Sequence, residues 1–385
     1  MKRFSFAGQN VSGQPMFAFL DRMKEAERAG RKIIHFEIGD LNMQIPQEAA
    51  SALKNSIDKG EHRYTESKGL WDFRKKIAEH FSENYGFEAS IDQILVAPAN
   101  SMIDFMIRSV ADHGDEVICP DPGFPTYYSV MKYSGVVPVP YPLLEENGFQ
   151  INPKDIEKRI TEKTRLIILN SPSNPTGAIM DENVVRKVAE IARENDIYVF
   201  SDEVYGPLAY TKKHFSPSFL DQCREQTVIL GSLSKVYGMS GWRLGYAIGP
   251  TEVIKKMGLM METIFSCLPI FTQRGGIAAI NVSERIISER KKELQERMKI
   301  LIGGLNSFPG VKCRYPEGAF YAFPNIEGTG MSGTEFRDYL FDKADIGVLE
   351  GEAFGVRGKG HARMAFGAST QEQIMEAIDR MKKIL

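Results

Sequence analysis

The sequence has few of the features that mark secreted, membrane or zinc-binding proteins. Its 385 residues include only four cysteines, Cys119, Cys223, Cys267 and Cys313, which are widely spaced without a C-x-x-C pair. Such spacing favours buried free thiols over a disulfide framework or a zinc site. No apolar stretch approaches the eighteen residues of a membrane span, and residues 1–6 lack the apolar run of a secretory signal. These absences predict a soluble, cytoplasmic protein with no membrane partner.

An excess of charge of either sign is also missing. Lys and Arg number 48 against 50 Asp and Glu, a formal net charge of -2, and the basic residues are spread along the chain. A nucleic-acid footprint would need a basic cluster. The six histidines form no H-x-x-x-H pair, so no metal site is predicted. The partner is therefore expected to be a small molecule.

Short apolar runs dominate the middle of the chain. They occupy residues 94–96, 116–119, 166–169, 197–200 and 228–230. Each run is continuous rather than alternating, which is typical of strands buried on both faces of a mostly parallel sheet. Helical patterns lie between them, the clearest at 181–194 with Asp181 as its predicted N-cap. This order predicts an α/β sheet covered by helices, with ligands beyond the carboxyl ends of its strands.

The residue pattern of the sequence changes after about Glu284. A long charged helical pattern is followed by mixed segments such as residues 318–323, which indicates a second, smaller α+β domain. The seam is predicted near residues 281–290. Because no Pro/Gly/Ser linker separates the two parts, we expect them to pack together with a binding cleft between them.

Lys235 is the most informative residue, because it lies in the segment that directly follows the predicted strand 228–230. A lysine held in a cavity at a strand end can form a Schiff base with an aldehyde. Ser232 and Arg243 in the same segment could bind an anion such as phosphate. Taken alone, Lys235 would be read as one surface lysine among many.

Two further strand ends change that interpretation. Asp202 and Tyr205 follow strand 197–200, and Asn174 follows strand 166–169. A pyridoxal phosphate (PLP) site needs an amine for the aldehyde, a carboxylate for the ring nitrogen and donors for the phenolic oxygen. Each of these residues alone is equally typical of a turn or a cap, but together they predict a PLP enzyme.

Ordered sequence blocks carry a resemblance to a known family. They are residues 34–40, the Y-x-x-x-x-G block at 64–69 with Phe73-Arg74, G-D-E-V at 114–117, P-G-F-P at 122–125, N-P-T-G at 174–177, and residues 202–205, 235–245, 318–321, 351–355 and 362–366. In these blocks the chain resembles the fold type I PLP enzymes, specifically the class I/II aminotransferases related to aspartate aminotransferase. The resemblance implies a mostly parallel, seven-stranded-type sheet, a large PLP-binding domain over 46–284 and a small domain from 1–45 and 285–385.

The resemblance implies a role for each cofactor-binding residue. Lys235 forms the Schiff base, Asp202 pairs with the pyridine nitrogen, Tyr205 and Asn174 bond the phenolic oxygen, Phe124 stacks on the ring, and Ser232, Arg243, Asn100 and Ser101 hold the phosphate. Lys235, Asp202 and Tyr205 are the predicted catalytic residues.

The resemblance also implies how substrate and partner bind. Arg363 would clamp the substrate carboxylate, with Gly39 and Asn174 beside it. Tyr64 would reach the phosphate of a partner subunit, which implies a homodimer with shared active sites. The expected reaction is ping-pong transamination between an L-amino acid and a 2-oxo acid.

Two departures qualify the resemblance. The family commonly has glycine in its phosphate-binding turn, whereas this chain reads Val-Ala-Pro-Ala-Asn-Ser at 96–101, so the backbone approach to the phosphate is expected to differ. In one aspartate-specific subgroup a lysine at the apparent position of Ser101 meets a second substrate carboxylate. The hydroxyl here cannot do so, which makes an obligate aspartate enzyme less favoured.

Three other functions are compatible with parts of the sequence. A β-lyase or another elimination enzyme of the same fold would share the lysine and its neighbours. The S-x-x-K string at 232–235 also occurs in serine acyl-enzymes, but no K-T-G accompanies it. A PLP-sensing regulatory module would need a helix-turn-helix extension, for which the chain has no room before the fold begins.

Overall fold

A seven-stranded sheet forms the centre of the chain in the computed structural model, which describes residues 3–385. The strands are β1 (Ile34–His35), β2 (Ile94–Ala97), β3 (Glu116–Asp121), β4 (Val137–Pro142), β5 (Thr164–Asn170), β6 (Tyr198–Asp202), β7 (Thr227–Ser232), β8 (Gly245–Ile248), β9 (Tyr321–Ala322), β10 (Ile346–Gly347), β11 (Leu349–Glu350) and β12 (Ala362–Ala365). The large sheet has the order β2-β8-β7-β6-β5-β3-β4, and only β8 runs antiparallel to its neighbours. The predicted mostly parallel α/β fold is confirmed.

Helices cover this sheet and also flank the smaller sheets. They are α1 (Phe6–Asn10), α2 (Pro15–Arg28), α3 (Gln47–Asp58), α4 (Trp71–Tyr85), α5 (Ala99–Val110), α6 (Pro125–Ser134), α7 (Pro153–Glu157), α8 (Glu182–Glu194), α9 (Ser218–Asp221), α10 (Thr251–Phe265), α11 (Ile270–Asn281), α12 (Ser283–Leu305), α13 (Gly333–Ala344) and α14 (Gln371–Met381). Among residues 3–385, no helix has the length and apolar character needed to cross a membrane.

The strands predicted from apolar runs are deeply buried. Every residue of β2 and of β7 is buried, and helices cover the apolar side chains from both faces. This is the environment that continuous rather than alternating apolar runs indicate. Helix α8 begins directly after Asp181, as predicted, but the Asp181 carboxylate makes no capping bond and pairs with Lys212 instead.

The two ends of the chain meet in small sheets beside the large one. Strand β1 pairs in parallel with β10, and β11, β12 and β9 form a three-stranded antiparallel sheet. The long charged helix predicted after Glu284 is α12. The predicted boundary at 284/285 falls in the first turn of α12, and the domain limits themselves stay a prediction.

The register of the central strands brings polar residues to one edge of the sheet. Asn170 at the end of β5 lies opposite Asp202 at the end of β6, and Asp202 lies opposite Leu230 of β7. Ser232, two residues further along β7, lies opposite Gly245. The carboxyl ends of β5, β6 and β7 therefore form one side of a common site.

Candidate active site

A cavity of about 440 Å³ opens at this edge of the sheet. Its volume lies within the range of small-molecule sites. Apart from Ser101 and Tyr64, all the predicted site residues line it, namely Lys235, Asp202, Tyr205, Asn174, Phe124, Ser232, Arg243, Asn100, Arg363 and Gly39. The structure thus brings together residues that are up to 324 positions apart in the sequence, from Gly39 to Arg363.

Lys235 projects into the cavity from the segment that follows β7. Its Nζ donates a hydrogen bond to the carbonyl oxygen of Gly39 at 2.6 Å. Burial lowers the pKa of Lys235 to about 8, and the charge of Asp40 opposes this effect. Because a neutral amine is the nucleophile that attacks an aldehyde, this pKa suits Schiff-base formation near neutral pH.

Asp202 is a buried carboxylate at the end of β6. Its Oδ2 accepts a hydrogen bond from the hydroxyl of Tyr127, and its Oδ1 accepts one from the N–H of Val204 at 3.3 Å. Burial raises the pKa of Asp202 to about 6, while the Tyr127 hydrogen bond lowers it. A cation placed against Asp202 would be a favourable partner for this desolvated carboxylate.

Two tyrosine hydroxyls meet on another wall of the cavity. The Tyr205 and Tyr321 hydroxyl oxygens are 2.5 Å apart, and burial raises the pKa of both side chains. Asn174 lies nearby, and its N–H donates to the side-chain oxygen of Asn170, whose amide in turn donates to the carbonyl of Asp202. Strands β5 and β6 therefore hold this wall through one hydrogen-bonded chain.

Arg363 is a fully buried cation on β12. Its guanidinium stands over the ring of Tyr321 at 4.8 Å and over that of Phe354 at 4.9 Å. It donates to the Asn174 side-chain oxygen at 3.4 Å and to the Glu37 carbonyl, while its Nε has no partner among the described residues. A buried guanidinium with such neutral acceptors is suited to bind an external carboxylate.

The other end of the cavity is lined by groups that suit a phosphate. Ala99 and Asn100, in the first turn of α5, face the cavity with Ser232 and Arg243. The first N–H groups of a helix have no intrahelical acceptor, and its N-terminus favours anions. The N–H of Ser101, by contrast, donates to the carbonyl of Pro98.

Ser101 and Tyr64 are the predicted site residues that do not line this cavity. Ser101 lies one position beyond Asn100 on α5, and Tyr64 lies on a separate surface near Cys267 and Phe271, with 87% of its area exposed. The predicted role of Tyr64 involves the cavity of a partner subunit, so its position in one chain does not test it. Both roles stay predictions.

Several residues of the site were not predicted to have a role. Tyr321, Asn170 and Asp40 line the cavity, and each lies in or beside a segment singled out in the sequence. Tyr127, one helical turn after Phe124 in α6, does not line the cavity but donates a hydrogen bond to Asp202. Strand-end position would have revealed Asn170. Nothing in the sequence gives the direction in which Tyr127 and Tyr321 point.

The residues of this cavity fit PLP. The cavity offers an amine of lowered pKa, a buried carboxylate, paired phenols and a helix N-terminus beside a serine and an arginine. These groups match an aldehyde, a ring nitrogen, a phenolic oxygen and a phosphate respectively. Arg363 lines the same cavity, and its guanidinium is the group that suits an amino-acid carboxylate.

Comparisons with known proteins agree with this site. The family described as aminotransferase class I and II matches residues 31–381. The chain is 36% identical to an aspartate aminotransferase of Pyrococcus horikoshii, over 93% of each chain, and 33% identical to aromatic-amino-acid aminotransferase 2 of Thermococcus litoralis, over 92% of each. Its structure matches that of an aspartate aminotransferase from Thermus thermophilus with maleate, with a TM-score of 0.95, 27% identity and full coverage of both chains. The chain therefore belongs to the class I and II aminotransferases, and it is a PLP-dependent enzyme that transfers amino groups.

Proposed function

We propose that the chain transfers the amino group of an L-amino acid to a 2-oxo acid in two half-reactions at the cavity described above. The observation that carries this proposal is the presence in one cavity of the Lys235 amine and of the buried Arg363 guanidinium, whose hydrogen-bond acceptors are neutral oxygens. Arg363 would hold the substrate carboxylate by two parallel hydrogen bonds. The amino group and the Cα–H bond would then face Lys235.

The roles of the remaining residues follow from their chemistry. When bound, PLP supplies an aldehyde and a pyridine ring that withdraws electrons from the substrate Cα. Asp202 would hold a proton on the ring nitrogen, and Tyr205 and Asn174 would donate to or accept from the phenolic oxygen. Lys235, once its amine is free, would carry a proton between two carbon atoms.

Other residues would hold the cofactor in place. Phe124 would pack on one face of the ring. Ser232, Arg243 and the first turn of α5, with Asn100 and Ser101, would bind the phosphate. Gly39 would lie against the substrate beside Asn174. Glycine is required at this position because any side chain would collide with the Tyr321 hydroxyl.

The side chain of the amino donor is a separate part of the proposal. Relatives bear the names of aspartate and of aromatic aminotransferases, so the family accommodates both kinds of substrate. Ser101 stands where an aspartate-specific subgroup has a lysine, and a hydroxyl cannot form that ion pair. We therefore propose a donor range that is not restricted to aspartate.

Assembly and location complete the proposal. Tyr64 would complete the phosphate site of a partner subunit, so the enzyme would act as a homodimer in the cytoplasm. The exposure of Tyr64 supports this, because its ring is 87% exposed in a single chain and aromatic residues are enriched at protein–protein interfaces. The large domain would span 46–284 and the small domain 1–45 with 285–385, so that the cavity lies between them.

A half-reaction assay tests this function. Purified, cofactor-loaded protein is mixed with one L-amino acid at a time, and the 2-oxo acid and pyridoxamine phosphate are quantified. We expect both in equal amounts with no oxo-acid acceptor present. Release of pyruvate and ammonia from β-substituted substrates, without pyridoxamine phosphate, would instead establish a β-lyase.

The role of Lys235 has its own control. Lys235→Ala should lose the covalent cofactor adduct that borohydride fixes to the natural chain, whereas Lys213→Ala, which removes a lysine outside the cavity, should keep it. If a fixed adduct persists in Lys235→Ala, Lys235 is not the lysine that binds the cofactor.

A further inference from the structure

Asp40 is a carboxylate of the cavity to which neither the family resemblance nor the proposed function gives a role. It lies on the segment between β1 and α3 and lines the cavity with Lys235. Its Oδ1 accepts a hydrogen bond from the N–H of Leu41 at 2.9 Å, and its Oδ2 accepts one from the hydroxyl of Ser240 at 2.8 Å. Both oxygens are therefore held, and the charge has a fixed position.

The same short segment also contacts the catalytic lysine. The carbonyl oxygen of Gly39, the residue before Asp40, accepts the hydrogen bond from Lys235 Nζ at 2.6 Å. Residues 39 and 40 thus connect Lys235 with Ser240, which follows it in the chain by five positions. Both oxygens of Asp40 are already hydrogen-bonded to other groups. Asp40 is therefore placed to act on the Lys235 nitrogen through its charge and not through a direct hydrogen bond.

Several charged or titratable groups share the cavity with Lys235. They are Asp40 from the β1–α3 segment, Asp202 from β6, Tyr205 after β6, Arg243 after the turn at 240–242, Tyr321 from β9 and Arg363 from β12. Two guanidinium groups among them disfavour a proton on Lys235, and two carboxylates favour it. Asp202 accepts a hydrogen bond from the Tyr127 hydroxyl and, in the proposed function, is the partner of the ring nitrogen.

Asp40 is therefore the carboxylate left to offset the two arginines. Of the charges around Lys235, Asp40 has the largest effect on its pKa and raises it, whereas Asp202 has a smaller effect in the same direction. Removing the Asp40 charge would leave the lysine nitrogen in a net positive surrounding, and a proton on it would become less favourable.

We propose that Asp40 is a positioning residue for Lys235, whose fixed carboxylate keeps the Lys235 nitrogen protonated and directed at the Gly39 carbonyl. The inference rests on the proposed function in that Lys235 is taken as the cofactor lysine. Ser240 supports this role by holding the carboxylate in place. Two readouts, neither of them enzymatic turnover, can test it.

The first readout is the pH dependence of the visible absorbance of the bound cofactor, which reports protonation of the nitrogen that joins it to Lys235. In Asp40→Asn we expect the midpoint to fall by about one pH unit, the low end of the effect of a neighbouring opposite charge. Asp40→Glu keeps the charge and should retain most of the natural midpoint. Asp58→Asn makes the same chemical change at an exposed site on α3 and should leave it unchanged.

The second readout uses the full chain after removal of the cofactor. The rate at which Lys235 captures added PLP, fixed with borohydride at each pH, follows the neutral amine. Without the Asp40 charge the lysine loses its proton at lower pH, so Asp40→Asn should capture PLP several-fold faster at pH 7 and at the natural rate well above pH 8. Ser240→Ala, which frees the carboxylate without removing it, should give a smaller shift in the same direction.

The possible outcomes distinguish a failure of the inference on Asp40 from a failure of the proposed function. If Asp40→Asn has the natural midpoint and the natural capture profile while its melting temperature is unchanged, the role of Asp40 is refuted, although Lys235 can still be the cofactor lysine. If Lys235→Ala retains the fixed adduct, the proposed function fails and the inference on Asp40 fails with it. A midpoint that rises in Asp40→Asn would also refute the inference, because removal of a negative charge cannot favour protonation of the lysine nitrogen.

Discussion

Arg363 illustrates how a single side chain can define a substrate class. It is buried to 1% exposure, yet its partners are the Asn174 amide oxygen and a backbone carbonyl rather than a carboxylate. Burial of a cation without an ionic partner is costly. In the proposed function a substrate carboxylate would offset this cost, because a guanidinium can bind it through two parallel hydrogen bonds.

Replacement of Arg363 by lysine should therefore weaken substrate binding while the charge is kept. Lysine cannot reproduce the planar fork, and loss of one hydrogen bond to a charged group costs about 1.5–3 kcal/mol. We expect kcat/KM for an L-amino acid to fall roughly 10- to 150-fold. Steady-state kinetics and substrate titration of the cofactor spectrum measure this loss.

Two controls identify the carboxylate as the group that Arg363 binds. Arg357→Lys makes the same change at an exposed residue of the 356–358 turn and should have natural kinetics. A primary amine without a carboxylate should react equally slowly with the natural enzyme and with Arg363→Lys. If Arg363→Lys impairs that amine as strongly as the amino acid, the clamp is not the role of this residue.

The site residues differ in how far the sequence reveals them. Lys235, Asp202 and Asn174 could be recognised because each follows a buried strand, and strand ends converge at one edge of a parallel sheet. Tyr127 could not, because it lies inside α6 and only tertiary packing turns its hydroxyl to Asp202. Asp40 and Tyr321 were likewise hidden, since short segments such as β9 give no periodic pattern.

Helix α5 begins in the turn at 96–101, which lacks the glycine common in the family. Pro98 is its N-cap residue, with an extended conformation (φ -58°, ψ 131°), and Ala99 is the first helical residue. The chain therefore passes from β2 into the helix through proline, and Ala99 and Asn100 of the first turn line the cavity. N–H groups at these positions have no intrahelical acceptor.

Ala99→Pro should weaken phosphate binding without harming the helix. Proline is well accepted at the first helical position, and the extended Pro98 is compatible with a following proline. The change removes one N–H group of the cavity, so we expect PLP to bind roughly 10- to 150-fold more weakly. The affinity for pyridoxal, which lacks the phosphate, should stay the same.

Helix α10 offers a matched control for this experiment. Its N-cap is Pro250 in nearly the same conformation (φ -54°, ψ 134°), followed by exposed Thr251. Thr251→Pro should leave the affinity for both PLP and pyridoxal unchanged. Equal losses for both ligands in Ala99→Pro would show that the turn does not contact the phosphate through this N–H group.

Strand β4 shows why some elements escape prediction. Its sequence Val-Pro-Val-Pro-Tyr-Pro alternates with a residue that cannot donate to a sheet ladder, and it lies at the edge of the sheet, where such residues are tolerated. Strand β8 escaped because its four residues, Gly-Tyr-Ala-Ile, include a glycine and begin at the last residue of the 235–245 block. Neither strand shows the continuous apolar run by which the other five strands of the large sheet were recognised.

The fold class of the whole chain could be assigned from the sequence, because the central strands are apolar runs that can be recognised locally. The pairing between the two ends of the chain could not be predicted from periodicity. The pairing of Ile34 with Ile346 in β1 and β10 joins residues 312 positions apart. Two-residue strands have no pattern of their own, so this pairing follows from tertiary packing. The placement of both chain ends in one small domain came from family resemblance and stays a prediction.

The proposed homodimer can be tested at the scale of the whole molecule by mixing two inactive variants. Lys235→Ala lacks the lysine, and Tyr64→Ala lacks the ring proposed to reach the partner's phosphate. A hybrid dimer would contain one site with natural Lys235 and natural Tyr64 and one site with neither. Random exchange makes half of the dimers hybrids, so activity should rise to about a quarter of the natural level.

The control for this mixture follows from the cavity itself. Lys235 and Arg363 line the same cavity of one chain, so a mixture of Lys235→Ala with Arg363→Ala leaves every site defective and should recover no activity. If the Lys235→Ala and Tyr64→Ala mixture stays at the mean of its two parents under conditions where subunits exchange, as verified by mass spectrometry of differently labelled chains, Tyr64 does not act across an interface. Recovery in the first mixture alone requires that Tyr64 of one subunit completes the Lys235 site of the other.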